Sequence, residues 1–115
     1  MLRLLLFGFG AMIGSWALLA SRLPHEVLRE LAEFVSECTK FDAEIAGEIT
    51  KEKFTLAELD EEEQNLERLR RWFRDLRRRD VFVAPSQEHA ERRLKDCGEL
   101  LEDFAERVFA HGGER

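Results

Sequence analysis

Residues 54–80, FTLAELDEEEQNLERLRRWFRDLRRRD, read as one long helix around which the chain after about residue 24 is organised. Apolar residues recur there at steps of seven, three, four and three, which places them on one helix face: Leu59, Leu66, Leu69, Phe73 and Leu76. Thr55, followed three residues later by Glu58, forms a capping box that marks where the helix begins. The stretch therefore predicts an amphipathic helix that packs in a bundle.

The charges of this helix are separated along its length. Its first half carries six acids: Glu58, Asp60, Glu61, Glu62, Glu63 and Glu67. Its second half carries seven arginines: Arg68, Arg70, Arg71, Arg74, Arg77, Arg78 and Arg79. Acids near the N-terminus and bases near the C-terminus both suit the helix macrodipole.

Composition favours a single all-α domain. The chain has 115 residues, of which 44% are hydrophobic and 37% charged, and only two are proline. This is too apolar for a disordered chain and about the length of one domain. The net charge of −6 argues against a general nucleic-acid coat, so an anion-binding role would have to use residues 68–79 alone.

Two further helices flank the central one. Apolar residues at helical spacing predict a first helix from Pro24 to about residue 52. Ser86 is a candidate N-cap for a third helix over about 87–110, which Gly112 and Gly113 end. The link at 81–85 is apolar and is predicted to plug one end of the bundle. Short links make neighbouring helices antiparallel, so residues 24–113, with helices at about 24–52, 56–80 and 87–110, predict an up-down-up three-helix bundle.

The N-terminal segment, residues 1–23, permits three interpretations. Residues 4–20 carry no charge and are barely long enough for a transmembrane helix. Arg3 and the small-x-small pattern at Ser15-Trp16-Ala17 would also suit a signal peptide. A buried strand is the third alternative, because a short apolar run cannot be assigned by its period.

The arginine run is the sharpest chemical signal, and it too has alternatives. Its guanidinium groups could hold phosphates or an oxyanion, and Trp72 could dock against a partner. The plainer interpretation, which the pattern slightly favours, is a solvated face with intrahelical pairs such as Glu67–Arg71 and Arg71–Asp75.

The remaining reactive residues give no diagnostic pattern. Cys38 and Cys97 should lie at similar heights in the bundle, and buried free thiols are favoured over a disulfide. The acids of 58–63 are expected to be solvated, with no metal site, because no histidine stands at ligand spacing. His25, His89 and His111 have no nucleophile beside them. We therefore expect no enzyme and no cofactor.

The chain resembles a known regulator family over about residues 29–110. The series FDAEIAGEITKEKFTLAELDEEEQNLERLRRWFRDLRRRDVFVAP (41–85), followed by ERRLKDCGELLEDFAERVF (91–109), resembles the N-terminal region of the ChrB family, regulators encoded with chromate efflux transporters. Residues 16–24, WALLASRLP, look like that family's opening strand. The family's small α/β portion and its C-terminal domain have no counterpart, so an internally shortened member is expected.

Three hypotheses follow. The resemblance implies a cytoplasmic regulatory or interaction module for chromate resistance that contacts operator DNA or another regulator domain, with a homodimer as a candidate state. Alternatively, residues 4–20 anchor a helical-bundle adaptor in the inner membrane. A third hypothesis, ranked lowest, is direct sensing of chromate oxyanion by the arginines with Cys38 or Cys97.

Overall fold

Three helices form the part of the molecule that the structure describes, which confirms the predicted all-α bundle. A computed structural model describes residues 25–79, 82 and 84–112. Helix α1 spans His25–Thr50, α2 spans Leu56–Arg78 and α3 spans Ala84–Ala110, with no strand among these residues. Each helix packs against the other two. The fold is thus an up-down-up three-helix bundle.

Helix α1 ends in a hydrogen-bonded turn built around Glu52. The Lys53 N–H donates to the carbonyl of Glu48 at 2.9 Å, and the Glu52 N–H donates to the carbonyl of Ile49 at 3.1 Å. This pair of bonds is a Schellman motif, and Glu52 adopts the left-handed conformation it requires, with φ of 56°. A glycine usually stands at that position, so the end of the helix can be predicted only approximately from residue types.

Helix α2 begins where the capping residue predicts. The Thr55 hydroxyl accepts a hydrogen bond from the Glu58 N–H at 3.2 Å. The five predicted apolar positions of the helix are all buried: Leu59, Leu66, Leu69, Phe73 and Leu76. Glu62 is buried on the same stripe, between Leu59 and Leu66.

Helix α3 begins earlier than predicted. It starts at Ala84, so Ser86 is buried within the first turn and is not the N-cap. Pro85 can occupy the second helical position because the first N–H groups of a helix have no intrahelical acceptor. Phe82 is half-buried and packs on Phe73 with ring centroids 5.4 Å apart, as expected of a plug, whereas Val81 and Val83 lie outside the described residues.

The core is contributed by all three helices and by one loop residue. Phe34 of α1 and Phe104 of α3 are fully buried, and Phe54 in the loop after α1 packs on Phe104 at a centroid distance of 6.1 Å. The ring centroids of His111 and Phe54 are 4.6 Å apart, so the end of α3 also packs on this loop. Gly112, with φ of 83°, ends α3 as predicted.

The predictions for residues 1–23 fall outside the described residues. None of the three helices described is long and apolar enough to cross a membrane. The alternatives for residues 4–20 therefore stay predictions.

Candidate functional site

Seven arginine side chains are exposed on the second half of α2, and we call this set the arginine face. The buried residues Leu69, Phe73 and Leu76 turn the opposite side of the helix to the core. All seven arginines predicted as candidates are exposed: Arg68, Arg70, Arg71, Arg74, Arg77, Arg78 and Arg79. A helix with 3.6 residues per turn separates the two sets because the arginines occupy positions off the apolar stripe.

Three members of the arginine face are held by acids. Arg74 contacts Glu67 at 3.1 Å, and Arg78 contacts Asp75 at 2.6 Å. Arg79 also contacts Asp75, with its Nε 3.0 Å from the carboxylate. Glu67 and Asp75 thus form ion pairs with other arginines than Arg71. The predicted pairs Glu67–Arg71 and Arg71–Asp75 do not form.

Arg79 and Trp72 fix the end of α2 against α1. Arg79 donates to both carboxylate oxygens of Glu30, at 2.6 and 3.2 Å, and the Trp72 Nε1–H donates to the same carboxylate at 3.3 Å. The Arg79 hydrogen bonds hold the pKa of Glu30 below its ordinary value, against the opposing effect of partial burial. The Trp72 ring meets Phe34 edge-on at 5.3 Å. Trp72, predicted as a docking residue, thus packs within its own chain.

The other four arginines make no ion pair with any described residue. These are Arg68, Arg70, Arg71 and Arg77. Arg70 lies over α3, where a Cβ added to Gly98 would come within 3.4 Å of its Nη2 atom. Exposed guanidinium groups without intramolecular acids are free to make bidentate contacts to an anion.

The two cysteines meet in the core as free thiols. Both are completely buried, and the Cys97 thiol lies 3.5 Å from the backbone carbonyl of Cys38. Interaction with Cys38 and burial raise the pKa of the Cys97 thiol. A half-buried ion pair between Arg93 and Asp42, at 2.9 Å, lies beside them. Their similar heights are as predicted, but burial separates both thiols from an oxyanion in solvent.

The acidic half of α2 differs from its prediction at one residue. Glu62 is fully buried, not solvated, and it lies beside Glu44 and Glu48 of α1. Glu62 is predicted as a solvated acid, and Glu48 is not among the predicted site residues. The sequence does contain a signal for the burial of Glu62. Leu59 and Leu66 are seven residues apart, and the position between them that faces the core is occupied by Glu62.

The three histidines lie near helix ends. His25 is the exposed first residue of α1, and His89 is half-buried in the first part of α3. Burial and the neighbouring Arg93 and Arg92 lower the pKa of His89. His111 is exposed after α3.

Comparison with known protein families gives a match over most of the chain. A family model described as protein ChrB, N-terminal, matches residues 17–115. No curated protein and no solved structure matches the chain.

Proposed function

The chain belongs to the ChrB N-terminal family, a family of regulatory proteins associated with chromate resistance, and from this premise we propose that its arginine face contacts operator DNA. The observation that supports the proposal is the set of four exposed arginines without an acidic partner among the described residues: Arg68, Arg70, Arg71 and Arg77. The predicted chromate-responsive transcriptional role depends on such a contact.

The charge distribution restricts how DNA can approach. The chain as a whole carries −6, and phosphates are repelled by most of its surface. Residues 68–79 hold seven arginines and one aspartate, Asp75, which gives a local charge of +6. Contacts from this face would go to the phosphate backbone, so they position the protein on a duplex without reading its sequence.

Helix α2 presents these side chains from a rigid support. The Arg79–Glu30 pair and the Trp72–Phe34 contact hold its C-terminal end on α1. Less conformational entropy is therefore lost when the arginines bind than if they lay on a mobile loop.

The experiment is a titration of fluorescent promoter duplex from the chain's own operon, at a series of salt concentrations. The variant replaces the four unpartnered arginines by alanine: Arg68→Ala, Arg70→Ala, Arg71→Ala and Arg77→Ala. We expect at least a tenfold loss of affinity at low salt. Four lost phosphate contacts should also reduce the slope of log K against log salt by about 3 to 4.

The matched control removes four exposed cations from α1 and α3, with the same change in net charge: Arg29→Ala, Lys40→Ala, Arg92→Ala and Lys95→Ala. It should change affinity by less than about threefold, since only general charge is altered. Unmeasurable binding by the unaltered chain, or equal losses in the two variants, would refute DNA contact through the arginine face.

A further inference from the structure

Three carboxylates from two helices converge at the end of the bundle opposite the Arg79–Glu30 pair. Glu44 and Glu48 lie one turn apart on α1, and Glu62 faces them from α2. One oxygen from each lies within 4.8 Å of the others. Glu62 is 0% exposed and Glu48 is 9% exposed, while Glu44 is open to solvent.

Two of these carboxylates are buried without full hydrogen bonding. The Oε2 atoms of Glu48 and Glu62 have no hydrogen-bond partner among the described residues. The other oxygen of Glu62 accepts from Asn65 at 2.9 Å, which orients the side chain. A buried polar atom left without a partner destabilises the folded state, and more so when it is charged. The arrangement therefore needs a positively charged or proton-donating partner.

The chain itself supplies little positive charge there. Lys51 and Lys53 line the same groove, but neither makes an ion pair with a described residue. Glu58, one turn before Glu62, adds a further acid. Burial, followed by the neighbouring Glu58 and Glu62, raises the pKa of Glu48 to about 9. One shared proton would neutralise one carboxyl, whereas a divalent cation would neutralise two and bind both unpartnered oxygens.

We propose that Glu44, Glu48 and Glu62 bind a hard divalent cation between α1 and α2. All three donors are carboxylate oxygens, which suit Ca²⁺, Mg²⁺ or Mn²⁺ better than a thiophilic metal. Two oxygens on opposite sides of a Ca²⁺ ion are separated by about 4.6–5.2 Å, so three oxygens that all lie within 4.8 Å of one another are close enough to share one ion.

An entry path and space for the ion are present. Glu44, Gly47 and Glu48 line the groove, and Glu44 is exposed to solvent. A Cβ added at Gly47 would meet nothing within 4 Å, so the groove is open at that point. The protein provides three ligands on rigid helices, and water would complete the coordination shell.

The test titrates the metal-free full chain with CaCl₂, MgCl₂ and MnCl₂ in separate calorimetric experiments at pH 7. We expect one saturable site per chain for at least one ion, and an increase in Tm when that ion is present in excess. Glu62→Gln and Glu44→Gln should each weaken binding at least tenfold. Glu44 is exposed, so its replacement tests the site without altering the core.

The control is Glu63→Gln, an exposed acid next to Glu62 with the same change in charge. It should leave binding within about twofold, and circular dichroism establishes that each variant is folded. Absence of saturable binding for all three ions would overturn the proposal and leave a shared proton as the partner of these carboxyls. Equal weakening by Glu63→Gln and Glu44→Gln would also overturn it, because it would indicate diffuse attraction to surface charge.

Discussion

The two halves of α2 differ in whether an ionisable residue occupies the buried apolar stripe of the helix. In the arginine half, Leu69, Phe73 and Leu76 fill successive core positions, and every arginine lies outside them. In the acidic half, the core position between Leu59 and Leu66 holds Glu62. The number of charged residues in a segment therefore does not predict their exposure. The position of each residue relative to the apolar stripe decides whether it is buried. The acidic half therefore carries the buried ionisable residue, although the two halves have net charges of equal size, −6 over residues 56–67 and +6 over residues 68–79.

The largest effect on stability is expected from truncating a core side chain in the arginine half. Leu69→Ala removes a side chain that is 1% exposed and leaves a cavity between the helices. The free energy of unfolding should fall by about 2–5 kcal/mol, measured by urea denaturation.

Glu62→Leu is the matched change in the acidic half, and it should have the opposite sign. It fills the same stripe with an apolar side chain and removes a buried acid, so we expect a gain of about 1–3 kcal/mol at pH 8 in a chelator. A loss as large as that of Leu69→Ala would show that the Glu62 carboxyl is well satisfied in the fold.

The burial of Glu48 beside Glu62 should make the free energy of unfolding depend on pH. The folded-state pKa of about 9 lies above the ordinary value of 4.5, so the folded chain holds a proton that the unfolded chain releases. This contribution is fully present below about pH 4.5 and is lost as the pH rises towards about 9. The groups that face Glu48 are Glu44, Glu58, Glu62, Lys51 and Lys53.

Denaturation of the metal-free chain between pH 5 and pH 9 measures this loss, and Glu48→Gln should flatten it. Glu30 and His89 contribute with the opposite sign, since the pKa of each is lowered. The Glu30 contribution is lost below about pH 4.5, outside this range, and the His89 contribution is lost below about pH 6.5, so the slopes of the two proteins are compared between pH 7 and pH 9. Stability that rises from pH 7 to pH 9 would contradict the assignment.

The smallest effect is expected at the exposed end of the arginine half. Arg79→Ala removes ion pairs to Glu30 and Asp75 that are open to solvent, so the free energy of unfolding should fall far less than it does in Leu69→Ala. Arg71→Ala, which has no ion-pair partner among the described residues, should change stability by less than about 0.5 kcal/mol in the same denaturation experiment. A larger loss for Arg71→Ala would show that the arginine face stabilises the bundle.

Much of the fold could be predicted because each helix carries its own period and end signals. Thr55 and Gly112 mark ends that depend on local hydrogen bonds and backbone conformation. The predicted start of α3 is wrong because Ser86 is a good N-cap by residue type, yet the helix begins at Ala84 and Ser86 is buried within its first turn. The turn at Glu52 was missed because the residue type usual for it is glycine.

For the candidate sites, the sequence by itself determined that the arginines lie together and outward, and that Cys38 and Cys97 lie at one height. Only the tertiary structure decided that Glu30 accepts hydrogen bonds from Arg79 and Trp72, and that Glu44 and Glu48 lie opposite Glu62. The physical reason is that the period of one helix specifies which side is buried. What a buried carboxylate meets depends on the side chains that a second helix, distant in sequence, brings to the same level.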